Sequence, residues 1–270
     1  METREKFCIK YRVTASDMDV VYRMTPNAML MYVQDCIANY LSSKHLAAFD
    51  IAAQRLTWMI TDFEVTLLRQ RPYWSEEVNV EVWISEISSI RTFISFNMLD
   101  REGHIFAQGT STWVVMSLDT KRPCPPMSLL HDIGQDIANG KRKNSLPPSE
   151  GSTFYRSYRH EVNITDLDFN GHMCNRSYLT IATSTAPVEF IMTHEPTFFQ
   201  IKFITEAFFG DILSCEVFKD AESRSFWHHI ANADNKPVCE IYSRWDVSDA
   251  PGIQDIAKDI ERPVPSSTAE

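Results

Sequence analysis

The sequence holds 270 residues, 44% of them hydrophobic and 23% charged, a globular composition with enough length for one large domain or two ordinary ones. A net charge of −10 works against general nucleic-acid binding, which draws its affinity from neutralising phosphates. No apolar run approaches the roughly 20 residues of a membrane helix. The opening Met1-Glu2-Thr3-Arg4-Glu5-Lys6-Phe7 lacks the apolar stretch of a signal peptide. The six cysteines include no C-x-x-C pair, so neither a zinc knuckle nor a redox dithiol is indicated. A complete cytoplasmic protein with free thiols is the expectation.

In chain order, the first informative segment is Ser16-Asp17-Met18-Asp19, followed by Thr25-Pro26. A threonine cap with proline at the first helical position starts a helix. Val33, Ile37, Tyr40 and Leu41 then recur at helical spacing, so the helix is predicted to run to Phe49. Val78, Val80, Val82 and Ile84 alternate with polar or half-polar positions, the period of a half-buried strand. Ile94, Phe96 and Met98 repeat the alternation before a turn at Asp100–Gly103 and a further strand from Thr112 to Leu118. These elements make an N-terminal unit, residues 1–122.

Residues 123–150, with Pro123-Cys124-Pro125-Pro126 and Pro147-Pro148, read as a linker with room for one short helix. A C-terminal unit, residues 151–250, repeats the earlier order. Thr165-Asp166-Leu167-Asp168 precedes a helix from about Arg176 that breaks near Pro187, and strands follow around 198–205, 212–218, 226–231 and 238–247. Residues 251–270 form a short tail.

The recurrence can be matched residue by residue. Ser16–Met24 lies on Thr165–Met173 at an offset of 149, with Asp17, Asp19 and Met24 identical to their counterparts. Tyr73-Trp74-Ser75-Glu76 lies on Phe208-Phe209-Gly210-Asp211 at an offset of 135. A long helix wrapped by an antiparallel sheet, present twice, predicts an α+β fold of two tandem hotdogs sharing one sheet, an arrangement that also hides strand edges.

Positions whose chemistry survives in one half alone locate a working site. Asp19 and Asp168 correspond, but Asn170 stands against Val21, His172 against Arg23 and Glu206 against Arg71. One site per chain is therefore expected, in the C-terminal half. An ordinary capped loop would carry similar Asp and Asn residues; it would not need the imidazole or the later carboxylate. The first half is then free to form an acyl tunnel, with Met24, Met29 and Met31 assigned to its helix and Trp58 and Met59 beside them. Methionine and aromatic stripes of this kind also occur as plain core.

At these residues the chain resembles the acyl-acyl carrier protein (acyl-ACP) thioesterases of plant plastids and bacteria, and without a transit peptide it looks like a bacterial member. The resemblance rests on Asp168-Phe169-Asn170-Gly171-His172-Met173-Cys174-Asn175-Arg176-Ser177-Tyr178, followed by Glu206 within Phe203–Asp211, and spans nearly the whole chain. It implies that Asp168, Asn170, His172 and Glu206 are catalytic, that Asn175 and Tyr178 contact substrate, and that the partner is acyl carrier protein with a phosphopantetheine-linked acyl chain. Many plant relatives carry a cysteine after the glutamate, whereas Ala207 stands here, which excludes a nucleophile at that place. Cys174 remains a candidate thiol whose ordinary role would be a small buried side chain.

The expected chemistry is thioester hydrolysis by activated water, with Glu206 and His172 holding the water, Asn170 offering its amide, and Asp168 organising the loop. An acidic carrier needs a local basic rim; candidates are Lys141, Arg142, Lys143, Arg156, Arg159 and Arg176. No G-x-S-x-G elbow, G-x-G-x-x-G or G-x-x-x-x-G-K-[ST] run exists, His194-Glu195 does not extend to H-E-x-x-H, and adjacent His228 and His229 would face opposite ways on a strand. No cofactor and no metal are expected. An acyl-CoA thioesterase, a hotdog dehydratase and a non-catalytic acyl-thioester binding protein are the alternatives. Chain-length preference is not legible, and monomer and homodimer both remain open.

Overall fold

The structure, a computed structural model, describes residues 6–134, 138–139, 145–220, 222 and 224–248. Five strands build each half. In the first they are β1 (Phe7–Arg12), β2 (Leu56–Leu67), β3 (Glu77–Ile87), β4 (Thr92–Leu99) and β5 (Ile105–Ser117). Between the halves lie β6 (Pro123–Cys124), α3 (Met127–Gly134) and β7 (Ala138–Asn139). The second half has β8 (Thr153–Glu161), β9 (His194–Phe203), β10 (Ile212–Asp220), β11 (Ser225–Ala231) and β12 (Pro237–Val247). Its helices are α4 (Asn175–Thr183) and α5 (Val188–Thr193), and those of the first half are α1 (Pro26–Ser43) and α2 (Ala48–Ile51).

All strands join one sheet, ordered β1-β3-β4-β5-β2-β9-β12-β11-β10-β8, with β6 on β5 and β7 on β3. Read from either end, the order is the same, and the halves meet where β2 pairs antiparallel with β9. Glu64 pairs with Gln200 there, flanked by Phe63 with Ile201 and Val65 with Phe199. The architecture is thus a double hotdog whose two units are related by an approximate two-fold axis near the Glu64–Gln200 pair. The outer edges, β1 and β8, carry Lys10, Arg12, Arg156 and Arg159, charges that discourage pairing with another chain.

Helix α1 starts as the sequence predicts, with the Thr25 hydroxyl accepting from the Ala28 N–H at 3.1 Å and Pro26 in the first turn. It buries Met29, Leu30, Val33, Cys36, Ile37 and Leu41 against the β3 row Val78, Val80 and Val82. Burial of each such side chain contributes about 1.5–3 kcal/mol. The helix ends at Ser43 rather than near Phe49. His45 adopts a left-handed φ of 57° and its N–H bonds to the Ser42 carbonyl, closing the helix as a glycine would. Phe49 belongs to the separate short α2.

Strand β2 is absent from the sequence reading because a register shift between Ile60 and Asp62 interrupts its alternation. Strands β1 and β8 escape it as edges, β1 because it is short and β8 because nearly its whole length is exposed and carries no clean alternation. All six cysteines are free. Among the described residues, no helix is long and apolar enough to cross a membrane.

Candidate active site

Each half carries the same loop before its main helix, built from the same backbone bonds. In the first half the 3-10 turn Ala15–Asp17 leads to a bridge between Met18 and Met24, and in the second Ile164–Asp166 leads to a bridge between Leu167 and Met173. Arg23 bridges Tyr73 just as His172 bridges Phe208, so both offsets of the sequence repeat recur in space. A carboxylate sets the loop each time. Asp19 Oδ1 accepts from the Val21 and Arg23 N–H groups at 3.0 and 3.1 Å. Asp168 Oδ1 accepts from those of Asn170 and His172 at 2.8 and 3.4 Å. The residue before the imidazole must take a left-handed φ, which Gly171 does at 78° without cost. Tyr22 adopts the same conformation at 62° in the first half.

This loop presents His172 beside Glu206, with Nδ1 3.4 Å from the Glu206 Oε1 atom. The bridge to Phe208 fixes that approach: residues two apart in an extended segment share a face, so Glu206 and Phe208 both flank the imidazole. The Phe208 ring stands edge-on to His172, with centroids 5.0 Å apart. His172 is half-buried and Glu206 half-exposed, at 33% and 50% side-chain exposure, so water reaches both. Asn170 is exposed, its Nδ2 3.4 Å from Asp168 Oδ2. Below the loop, Asp166 Oδ2 lies 2.8 Å from His160 Nε2 and accepts from the Asn163 N–H at 2.9 Å. Burial opposes its charge, but these bonds outweigh burial and hold the Asp166 carboxyl below its usual range.

In the first half the equivalent space is closed. Arg71, at the position of Glu206, is 2% exposed; its Nη1 lies 2.7 Å from Asp19 Oδ2 and its Nε 2.8 Å from Glu195 Oε2. It also donates to the Met24 carbonyl at 2.9 Å. Burial alone would lower the Arg71 pKa, and the two carboxylates more than reverse this, so it is raised. Arg23, at the position of His172, donates to the Arg71 carbonyl and lies 3.8 Å above the Tyr73 ring centroid. Glu195 comes from β9 of the other half, so the ion triad ties the halves together where the sequence reading saw a lost site.

The remaining expected residues are scattered. Met24 and Met29 are packed in the core, and Met24 precedes the helix, while Met31 sits on its exposed side. Trp58 and Met59 are neighbours on β2 and therefore point to opposite faces. Trp58 joins the core and donates its indole N–H to the Leu46 carbonyl at 2.8 Å. The structure does not bring these residues onto one surface. Asn175 opens α4, and Tyr178 is buried, its ring 5.9 Å from Phe203; burial pushes its hydroxyl pKa up. Cys174 immediately precedes α4; its Sγ lies 3.2 Å from Ser177 Oγ and makes no capping bond to the helix backbone.

Among the basic candidates, Arg176 is exposed on α4 beside the motif. Arg156 donates to the Thr185 carbonyl at 2.9 Å. It lies three residues from Arg159 on β8, so the two face opposite sides. Lys141, Arg142 and Lys143 lie outside the described residues. Asp100, Glu102 and His104 are the one group among the described residues close enough to share a metal ion, on a surface turn remote in sequence from the motif.

Two features of the rim escaped the sequence reading. Phe208 was visible only as the counterpart of Tyr73, both aromatic. Phe169, 75% exposed within the motif, meets the equally exposed Phe49 of the first half, with centroids 5.6 Å apart; nothing local in the sequence couples them.

Two family models match the chain, the acyl-ACP thioesterase N-terminal domain over residues 4–133 and the C-terminal domain over residues 151–247. The chain belongs to the acyl-ACP thioesterase family. It aligns at 26% identity over 155 residues with oleoyl-acyl carrier protein thioesterase 2, chloroplastic, of Arabidopsis thaliana, covering 52% of this chain and 41% of the plant protein. An acyl-[acyl-carrier-protein] hydrolase of Cuphea viscosissima aligns at 20% identity over 70% of this chain and 48% of its own length. The chain thus spans under half the length of these plant relatives. The fold is shared with an acyl-ACP thioesterase of Bacteroides thetaiotaomicron, with a TM-score of 0.77 at 19% identity over 88% of this chain and 97% of that one. It is shared as well with the 12:0-ACP thioesterase of Umbellularia californica, with a TM-score of 0.77 at 18% identity over 90% and 98%.

Proposed function

We propose that this member of the acyl-ACP thioesterase family hydrolyses acyl-ACP, releasing a free fatty acid and the holo-carrier, at the His172–Glu206 pair. The observation that carries this reading is the asymmetry between two loops of identical construction. One presents an imidazole and a carboxylate 3.4 Å apart and open to water, and the other is sealed by a buried arginine. A purely structural loop would not need the open pair.

Glu206 lies on the Nδ1 side of His172, 3.4 Å away, so tightening of that contact around bound substrate would fix the tautomer that leaves Nε2 bare. Nε2 is then the base that takes a proton from water as the oxygen attacks the thioester carbon. The Asn170 amide donates to the developing oxyanion, an interaction that gains strength as charge appears. The C–S bond breaks to a thiolate, a good leaving group that needs little protonation. Asp168 acts at one remove, through its hold on the backbone of Asn170 and His172. Cys174 has no step to perform. Arg176, beside the motif, is the cation placed to meet an acidic carrier, with Arg159 a second exposed position.

The deciding experiment is mass spectrometry of acyl carrier protein loaded with octanoyl to stearoyl chains, incubated with wild type and with His172→Ala. Conversion to holo-carrier by wild type alone, with loss of at least 100-fold in the variant as removal of an acid–base group predicts (about 10²–10⁴), supports the reading. Binding without conversion at every length would make the chain an acyl-thioester binding protein. Charge reversal at Arg176 should weaken turnover of the carrier-borne substrate more than of the CoA ester; equal effects would remove the docking role.

A further inference from the structure

Helix α1 of the first half runs alongside α4 of the second, where the Asn27 side-chain amide donates to the Thr180 hydroxyl at 2.7 Å. At the repeat offset of 149, Asn27 corresponds to Arg176 and Met31 to Thr180. The approximate two-fold axis therefore carries that contact onto Met31 and Arg176, and the two helices are antiparallel. Gln34, one turn after Met31, comes level with Met173 and His172, the residues leading into α4. It is two turns from Asn27 and so lies on the same side of α1, the side toward α4. The far end agrees, since Phe49, beyond α1, meets Phe169 of the motif loop with centroids 5.6 Å apart. At the level of Gln34 the Met173 N–H donates to the Ala207 carbonyl at 2.8 Å, next to Glu206.

Gln34 is half-buried, and its Nε2 is shut off from solvent with no hydrogen-bond partner among the described residues. A buried donor without an acceptor is costly and uncommon, and methionine or leucine would fill the position without that cost. The other half shows the same position beside a closed site. Thr183 is the counterpart of Gln34 and comes level with Met24 of the sealed loop. Its single hydroxyl proton is taken up within α4, 3.0 Å from the Leu179 carbonyl and 3.1 Å from that of Thr180. A spare donor thus stands across from the open His172–Glu206 pair, and none is left across from the Arg71 closure.

We propose, resting on the hydrolase reading above, that Gln34 is a catalytic residue supplied by the first half, its amide donating to the thioester carbonyl oxygen and holding the oxyanion together with Asn170. An oxyanion accepts more than one hydrogen bond as its charge develops. The exposed Asn170, held by Asp168, offers one. The Gln34 donor has no protein acceptor to give up and no bulk water to shed, so a bond to the substrate is gained almost in full. The site then spans both halves, with the base from one and a donor from the other.

The test uses the full chain and the acyl-pantetheine that wild type hydrolyses fastest. Gln34→Met keeps the side-chain length and removes the donor. Its kcat should fall by about 10²-fold, the effect of losing one oxyanion donor, with KM within about threefold of wild type. Affinity is read in parallel for a trifluoromethyl ketone analogue, whose hydrate reproduces the tetrahedral intermediate, and for the plain thioether, which has no carbonyl. The variant should weaken the ketone by a similar factor and leave the thioether unchanged. Its unfolding midpoint should hold or rise, because an unpaired buried donor is gone. Thr183→Val, at the counterpart position, should keep kcat within about threefold. Should Gln34→Met fail to fold, Gln34→Asn, which draws the amide back by one methylene, should show the same loss of kcat and of ketone affinity.

Unchanged kcat and ketone affinity in the Gln34 variants would remove the residue from the reaction and leave the hydrolase reading standing. Equal losses of ketone and thioether binding would overturn the assignment as well, by making Gln34 a packing residue. No turnover of acyl-pantetheine or acyl carrier protein by wild type would sink both readings together.

Discussion

Replacement of Arg71 by leucine removes the cation that closes the first-half loop. The guanidinium is 2% exposed and meets Asp19 at 2.7 Å, Glu195 at 2.8 Å and the Met24 carbonyl at 2.9 Å. Truncating one member of a fully buried ion pair costs about 3–5 kcal/mol because the partner charge stays behind. The two carboxylates here are 16% and 19% exposed, so water can relieve part of that penalty, and a loss of about 3 kcal/mol is expected. For a chain of this size the unfolding midpoint should fall by about 5 °C. The assay is thermal and urea unfolding followed by tryptophan fluorescence, with Arg55→Leu as the control. Arg55 pairs with Asp119 at 64% and 59% exposure and should change stability by less than about 0.5 kcal/mol. Adding Asp19→Asn and Glu195→Gln to Arg71→Leu should recover much of the loss by removing the stranded charges. A midpoint within 2 °C of wild type for Arg71→Leu, or a triple variant less stable than the single one, would refute the assignment of the triad as the tie between the halves.

The other expectations concern the site and the buried His228. Glu206→Gln should lower hydrolysis by about 10²-fold or more while leaving the unfolding midpoint nearly unchanged, because an exposed carboxylate contributes little to folding; steady-state rates on a pantetheine thioester check this. Gly171→Val should cost about 1–2 kcal/mol, since φ is 78° there, and should depress activity further by displacing His172, which separate stability and rate measurements resolve. Cys174→Ser should retain turnover within a few-fold; loss of activity with retained fold would restore the thiol as a participant. Burial, partly offset by its hydrogen-bonded surroundings, lowers the His228 pKa to about 4. The unfolded chain binds this proton near pH 6.5 and the folded one only near 4, so stability falls as pH drops between these values and levels off below. The difference at pH 5 is about 2 kcal/mol, and His228→Phe should abolish that part of the slope in urea titrations at pH 7 and pH 5.

The sequence by itself determined the repeat, its two offsets and the positions where the halves diverge. Asp168, Gly171 and His172 were legible because their loop is set by bonds spanning four residues or fewer, and the same bonds hold Asp19, Tyr22 and Arg23. Strands with clean alternation, β3 and β10 among them, were legible for a similar reason: a half-buried sheet writes its period into the chain. The end of α1 was not, because His45 takes a left-handed conformation that sequence habit assigns to glycine. Only the tertiary structure decided what Arg71 does, since Glu195 lies 124 positions away and reaches it through the β2–β9 junction. It also decided that Trp58 and Met59 part company across the sheet and that His228 is buried at 6% exposure. These outcomes depend on strand register between distant segments, and register is fixed by the sum of many pairings rather than by any local run of residues.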